Sequence, residues 1–111
     1  MLRYGEDAKK IALLNPDILN PEPSELIGSG QASDMSYVRD VIRAVKDVNP
    51  NIMVEQAAGI TTAQQIYDFI MAGSEAAGAA SGLLRAPDPL KLLDEMVQYV
   101  RKAKDELEAQ G

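Results

Sequence analysis

The chain contains neither histidine nor cysteine, so Ser-His and Cys-His nucleophiles, thiolates, zinc knots and disulfides are all excluded. Proton transfer, if any, falls to carboxylates, Lys or Tyr. One carboxylate stands out by its setting. Glu22 lies between Pro21 and Pro23, where a short apolar run, Ile18-Leu19, gives way to a Gly- and Ser-rich stretch ending at Ser33. Two further stretches, Ala57-Ala58-Gly59-Ile60-Thr61-Thr62 and Ala79-Ala80-Ser81-Gly82-Leu83, are small-residue turns. Such turns let backbone N–H groups converge on an anion, with the positive end of a following helix behind them. Singly, each has an ordinary structural explanation. A strand must reach the next helix somehow, and a lone loop glutamate is usually just solvated. The informative feature is that all three occur, in order, at the places where strands should end.

The elements that would position them follow from periodicity. Glu6 to Leu14 reads as a short helix, stopped by Asn15-Pro16, because the residue before proline is pushed out of the α region. A second helix opens near Asp34 or Ser36, with Val38, Val41, Ile42 and Val45 recurring at helical spacing. Thr61 or Thr62 caps a third, Gly73 follows its end, and Asp88-Pro89 supplies an N-cap and N1 pair for a last helix from Leu90 to about Glu108. Strands are expected at Ile18 to Asn20, Ile52 to Gln56 and Ala76 to Ala80. Strands alternating with helices imply a parallel sheet with crossover connections, an α/β fold with its ligand site at the strands' carboxyl ends.

Composition sets the outer limits. At 111 residues, 46% hydrophobic and 25% charged, the chain is one ordinary globular domain, residues 1–111. A formal net charge of −6 with dispersed Lys and Arg argues against nucleic acid as a partner. No run approaches the ~20 apolar residues of a membrane span. The first five residues do not form a signal peptide. A cytoplasmic protein is expected.

The three motifs resemble a known family. Glu-Pro-Ser-Glu-Leu-Ile-Gly-Ser-Gly at Glu22 to Gly30 resembles the catalytic-glutamate strand end and mobile loop of triosephosphate isomerase, in the form typical of archaeal members. Ala-Gly-Ile-Thr-Thr at Ala58 to Thr62 is similar to the family's phosphate loop after strand 7. Ala-Ser-Gly at Ala80 to Gly82 is similar to the loop after strand 8. The resemblance implies a partial (β/α)8 barrel, roughly strands 6–8 with helices 5–8. It places Met1 to Arg3 at the end of strand 5 and leaves strands 1 to 4 outside the chain.

Carried over, Glu22 is the base that moves a proton between two carbons of a triose phosphate. Ile27 and Gly28 belong to the closing loop, and Gly59, Ala80 and Ser81 complete the phosphate cradle. No metal or other cofactor is implied. The expected partners are the triose phosphate and either further copies of the chain or a complementary N-terminal half. The family's histidine electrophile and substrate-binding lysine come from that other half, so the isolated chain is expected to be inactive as an isomerase. The alternatives are another phosphate-binding barrel enzyme and a non-catalytic half-barrel module. This sequence departs from the family at Gln31 to Ser36, about three residues short, at Pro21, at Ala57 where glycine is common, and in a tail from Gln98 to Gly111 that runs past the usual end.

Overall fold

A computed structural model describes residues 4–22, 26 and 28–111 of the chain, with Tyr4 and Gly5 described by backbone alone. Along the chain run α1 (Tyr4–Ala12), β1 (Ile18–Leu19), α2 (Met35–Val48), β2 (Met53–Gln56), α3 (Ala63–Met71), β3 (Ala76–Ala77), α4 (Ser81–Leu84) and α5 (Pro89–Gln110). The strands form one parallel sheet in the order β1-β2-β3. Ile18 pairs with Met53 and Leu19 with Val54, then Glu55 with Ala76 and Gln56 with Ala77. The α/β class and the parallel strands expected from the sequence are therefore present.

Local chemistry explains where the helices begin. Asp34 caps α2, its carboxylate accepting from the Ser36 N–H at 2.8 Å. Thr62 and Gln65 form a capping box on α3, the Thr62 hydroxyl accepting from Gln65 N and the Gln65 side chain accepting from Thr62 N, both at 3.1 Å. Asp88 caps α5 with Pro89 in its first turn. α1 ends two residues earlier than expected. Asn15 adopts a left-handed conformation at φ 58, and the N–H groups of Leu14 and Asn15 turn back to Ile11 and Ala12.

The core lies between one face of the sheet and the helices. It is built from Leu19 and Val54 of the strands, Val38, Val41 and Val45 of α2, Ile66 and Phe69 of α3, and Met96 and Ala103 of α5. Ser74, buried just before β3, donates to the carbonyls of Val54 and Ala76. Lys46 joins α2 to the sheet, its ammonium 2.7 Å from Glu75 and 2.6 Å from the Ile52 carbonyl.

The alternation of the strands leaves the opposite face bare: Ile18 is 54% and Met53 45% exposed, while their neighbours Leu19 and Val54 are buried. β3 is shorter than the expected Ala76 to Ala80. Gly78 still donates to the Gln56 carbonyl at 2.8 Å, but the chain then leaves the ladder to enter α4.

Candidate functional site

Beyond the carboxyl ends of the strands, the three loops meet at a cleft of about 220 Å³. Glu22, Gly28, Gly59, Ala80 and Ser81 all line it, together with Ala57, Ala58, Gly78 and Gly82. Five of the six site residues named from the sequence thus share one concavity. The sixth, Ile27, lies outside the described residues, as do Pro23 to Glu25 and the Met1 to Arg3 segment assigned to strand 5.

Glu22 is half-buried at the end of the chain leading out of β1. Its backbone N–H donates to the Asn20 carbonyl at 2.9 Å, and the Asn20 side-chain amide reaches its carboxylate at 3.4 Å. The preceding carbonyl, that of Pro21, accepts a hydrogen bond from the Tyr37 hydroxyl in the first turn of α2. This contact ties the strand end carrying the carboxylate to a helix whose own start is fixed by Asp34. Tyr37 precedes Val38, the first of the residues at apolar helical spacing. Its hydroxyl's use as a clamp is visible only once Pro21 is brought beside it.

Glycine controls how closely the loops approach. At Gly59 a Cβ would overlap the backbone carbonyl of Gln31, and at Gly82 it would overlap that of Ile60. The loop after β1 is therefore seated on the loop after β2, and that loop on the start of α4, through backbone surfaces that admit no side chain. Gly59 is also left-handed at φ 71, and so is its neighbour Ala58 at φ 69. A non-glycine residue there costs on the order of 1 kcal/mol. Backbone strain is thus held at the floor of the cleft. None of the N–H groups of Gly59, Ala80, Ser81 or Gly82 has an acceptor among the described residues. Those of Ser81 and Gly82 belong to the first turn of α4, where no intrahelical partner exists. The small helix itself was not expected, since Ser81-Gly82 reads as a turn.

A wider cleft of about 490 Å³ adjoins this one and shares Gly28, Ser81 and Gly82 with it. Arg85 and Lys91 bring positive charge to its wall, and Asp88 and Glu95 negative charge. Beneath the end of β2, Gln56 is fully buried, and neither end of its amide has a partner among the described residues. Nothing in its sequence context marked it. Among the described residues no group of three or more acidic, His or Cys side chains could hold a metal ion, and no helix is long and apolar enough to cross a membrane.

No protein-family model matches the chain. Individual proteins do. Over 95 residues it is 36% identical to the triosephosphate isomerase of Methanothermus fervidus, a match covering 83% of this chain and 43% of that protein. The triosephosphate isomerase of Archaeoglobus fulgidus is 38% identical over 89 residues, 78% of this chain and 40% of the relative. Its counterpart from Sulfurisphaera tokodaii is 33% identical over 97 residues, covering 86% and 42%. The chain's relatives are archaeal triosephosphate isomerases.

The chain spans about two-fifths of the length of the curated relatives it matches, consistent with a C-terminal half. Its fold is shared with a chain in the crystal structure of the Amycolatopsis orientalis BexX/CysO complex, at a TM-score of 0.75 and 19% identity. That likeness covers 96% of this chain and 41% of the other.

Proposed function

We propose that residues 1–111 supply the C-terminal part of a triosephosphate isomerase barrel, roughly strands 6–8 with helices 5–8, in which Glu22 is the catalytic base. The observation that carries this reading is the single cleft lined by Glu22, Gly28, Gly59, Ala80 and Ser81, at the end of a parallel sheet where such sites lie. In this reading the Glu22 carboxylate takes a proton from C1 of dihydroxyacetone phosphate. The C1–H electron pair forms the carbon–carbon double bond of an enediol(ate) as the C2=O π pair moves onto O2; the O1 proton passes to O2, O1 becomes the aldehyde carbonyl, and the same carboxyl returns a proton at C2 to give glyceraldehyde 3-phosphate. The phosphate is then held by the N–H groups of Gly28, Gly59, Ala80 and Ser81, a role the resemblance also gives to Ile27, and the N-terminal turn of a helix favours its charge. The reaction is the interconversion that glycolysis and gluconeogenesis use, and it needs no cofactor. A cytoplasmic setting fits it.

What this segment lacks is equally specific. The enediolate oxygen needs preorganised donors, and removing one typically costs about 10²–10³ in rate. With no histidine in the sequence and the family's lysine on the other half of the relatives, the isolated chain is inactive or nearly so. Activity then depends on a complementary N-terminal half, since self-association restores no histidine. The decisive experiment is a coupled isomerase assay of the chain alone and mixed with such a half, each with wild-type Glu22 and with Glu22→Gln. Turnover only in the mixture, lost with Glu22→Gln, is the expected result. Near-native turnover by the chain alone would remove the reading.

A further inference from the structure

The wider cleft, about 490 Å³, has more than twice the volume of the cleft beside Glu22, and the isomerase reading gives it no task. Its walls are this chain's own: Gly30 after β1, Thr61 after β2, Arg85 closing α4, and Lys91 and Glu95 in the first two turns of α5. Helical spacing puts Lys91 and Glu95 on the same side of α5 as Lys102, whose ammonium lies 5.0 Å from the centre of the Tyr67 ring on α3. The exposed Leu93 and Val97 stand on the other side of the buried Met96 and Ala103. The cleft therefore faces the loops and α3, away from the flank against which the rest of a barrel would pack.

The backbone that carries its two cations is fixed. The Arg85 N–H donates to the Ser81 carbonyl at 2.9 Å, and the Ala86 N–H to that of Leu83 at 3.2 Å. The Lys91 N–H donates to the Asp88 carboxylate at 3.2 Å, which engages that acid with the backbone of α5. The cationic groups themselves are uncommitted. Lys46 is paired with Glu75, Arg101 with Asp105 and Lys104 with Glu108. Neither the Arg85 guanidinium nor the Lys91 ammonium has such a partner among the described residues, although Glu95 stands four residues on from Lys91.

We propose that the wide cleft is a second phosphoryl subsite, in which Arg85 and Lys91 hold a phosphoryl group next to the one assigned to Gly59, Ala80 and Ser81. A guanidinium fork matches two phosphate oxygens, and an ammonium adds a point charge. Gly28, Ser81 and Gly82 line both clefts, so the two anion positions are contiguous. The phosphoryl group comes either from a diphosphate that spans the two clefts or from a free phosphate lodged in the wide one. With a net charge of −6 the chain as a whole repels anions, so an anion that binds does so at a local cluster of cations. Asp88 and Glu95 on the same wall offset that charge and keep the affinity roughly millimolar. The subsite leans on the isomerase reading only for its neighbour, and the two fail separately.

The test is an NMR titration of the whole 111-residue chain with inorganic phosphate and, separately, with inorganic pyrophosphate. Both should shift the Arg85 side-chain Nε–H and the amides of Arg85, Ala86, Lys91 and Leu92. Pyrophosphate binding about tenfold tighter than phosphate supports a diphosphate spanning the two clefts, and equal affinities support the subsite with free phosphate as its occupant. Arg85→Gln and Lys91→Gln should each weaken the response at these positions about fivefold, while shifts at Gly59 and Ser81 under inorganic phosphate persist. Both side chains are exposed, so neither change disturbs folding, and circular dichroism checks this. Arg39 and Arg43, exposed on α2 and lining neither cleft, are the internal control. Shifts at Arg85 no larger than at these two overturn the proposal, as an ion atmosphere would give the same. Affinity unchanged in both variants overturns it too. A response at Arg85 and Lys91 with none at Gly59 and Ser81 upholds the subsite and counts against the phosphate cradle of the isomerase reading.

Discussion

Leu19 and Val54 on one face of the sheet, and Ile18 and Met53 on the other, come from the same two strands one residue apart. The first pair is closed to solvent and the second about half open. Intrinsic preference cannot separate them, since all four are apolar strand residues. What separates them is that helices cover one face, while none of the described residues covers the other. Parallel sheets are ordinarily buried on both faces. Apolar residues on the bare side are therefore fitted to contacts this chain does not provide, and the match to about two-fifths of each relative's length says the same in another way.

The sharpest way to break this comparison is to empty the covered side. Phe69→Ala removes a side chain 2% exposed at the centre of the core and should cost about 3–5 kcal/mol in urea unfolding, a large part of the ~5–15 kcal/mol typical of such a domain. Next come the loop contacts. Gly59→Ala and Gly82→Ala place a methyl group on the Gln31 and Ile60 carbonyls, and each should destabilise by roughly 1–3 kcal/mol. Both should also abolish the amide shifts at positions 59, 81 and 82 expected of the parent chain in a phosphate titration. Shifts retained at full size in both variants would mean the cleft does not depend on these contacts.

On the bare side the effect should be smaller. Ile18→Lys and Met53→Lys should change the stability of the isolated chain by less than about 1 kcal/mol. A loss as large as that of Phe69→Ala would show that the second face is buried in solution.

The smallest effects are electrostatic. The Ser36 backbone N–H, then its hydroxyl, hold the Asp34 carboxyl below its usual pKa. Its contribution to stability is therefore present above the unfolded value of 3.8 and lost as pH falls through the lower folded value. Tyr67 runs the other way. Its hydrogen bond to Glu106 raises its pKa above 10.0, so its contribution is full below that value and lost as pH rises through the higher folded one. Asp34→Ala should flatten the acid limb of a stability–pH curve, and Tyr67→Phe the alkaline limb.

The parts readable from sequence were those with a local cause. Asp34, Thr62 and Asp88 cap helices because of their own short side chains, and Val38 to Val45 face inward because of helical spacing. The candidate cleft was legible as three loops in order, with Gly59, Ala80 and Ser81 named through the resemblance and not through any distance from Glu22. The rest depends on contacts remote in sequence. Tyr37 finds Pro21 sixteen residues away. α4 closes around the Ala80 and Ser81 carbonyls despite the weak helix preference of Ser and Gly. Gln56 looks like any strand-end amide until the packing above it is known. The bare face was invisible for a different reason, because an apolar residue carries no label saying which chain is to cover it.

The glycine contacts between the loops have a mechanical consequence. Gln31 rests on Gly59, and Ile60, the next residue, rests on Gly82. The three loops are therefore coupled in series, like stacked plates with no spacer between them. A displacement of the segment after Gly30 is felt at the Ser81–Gly82 side of the cleft without any moving side chain. Transplanting any one loop from a relative would then require its neighbour's seat to come with it, so the workable unit of exchange is the set from Glu22 to Gly82.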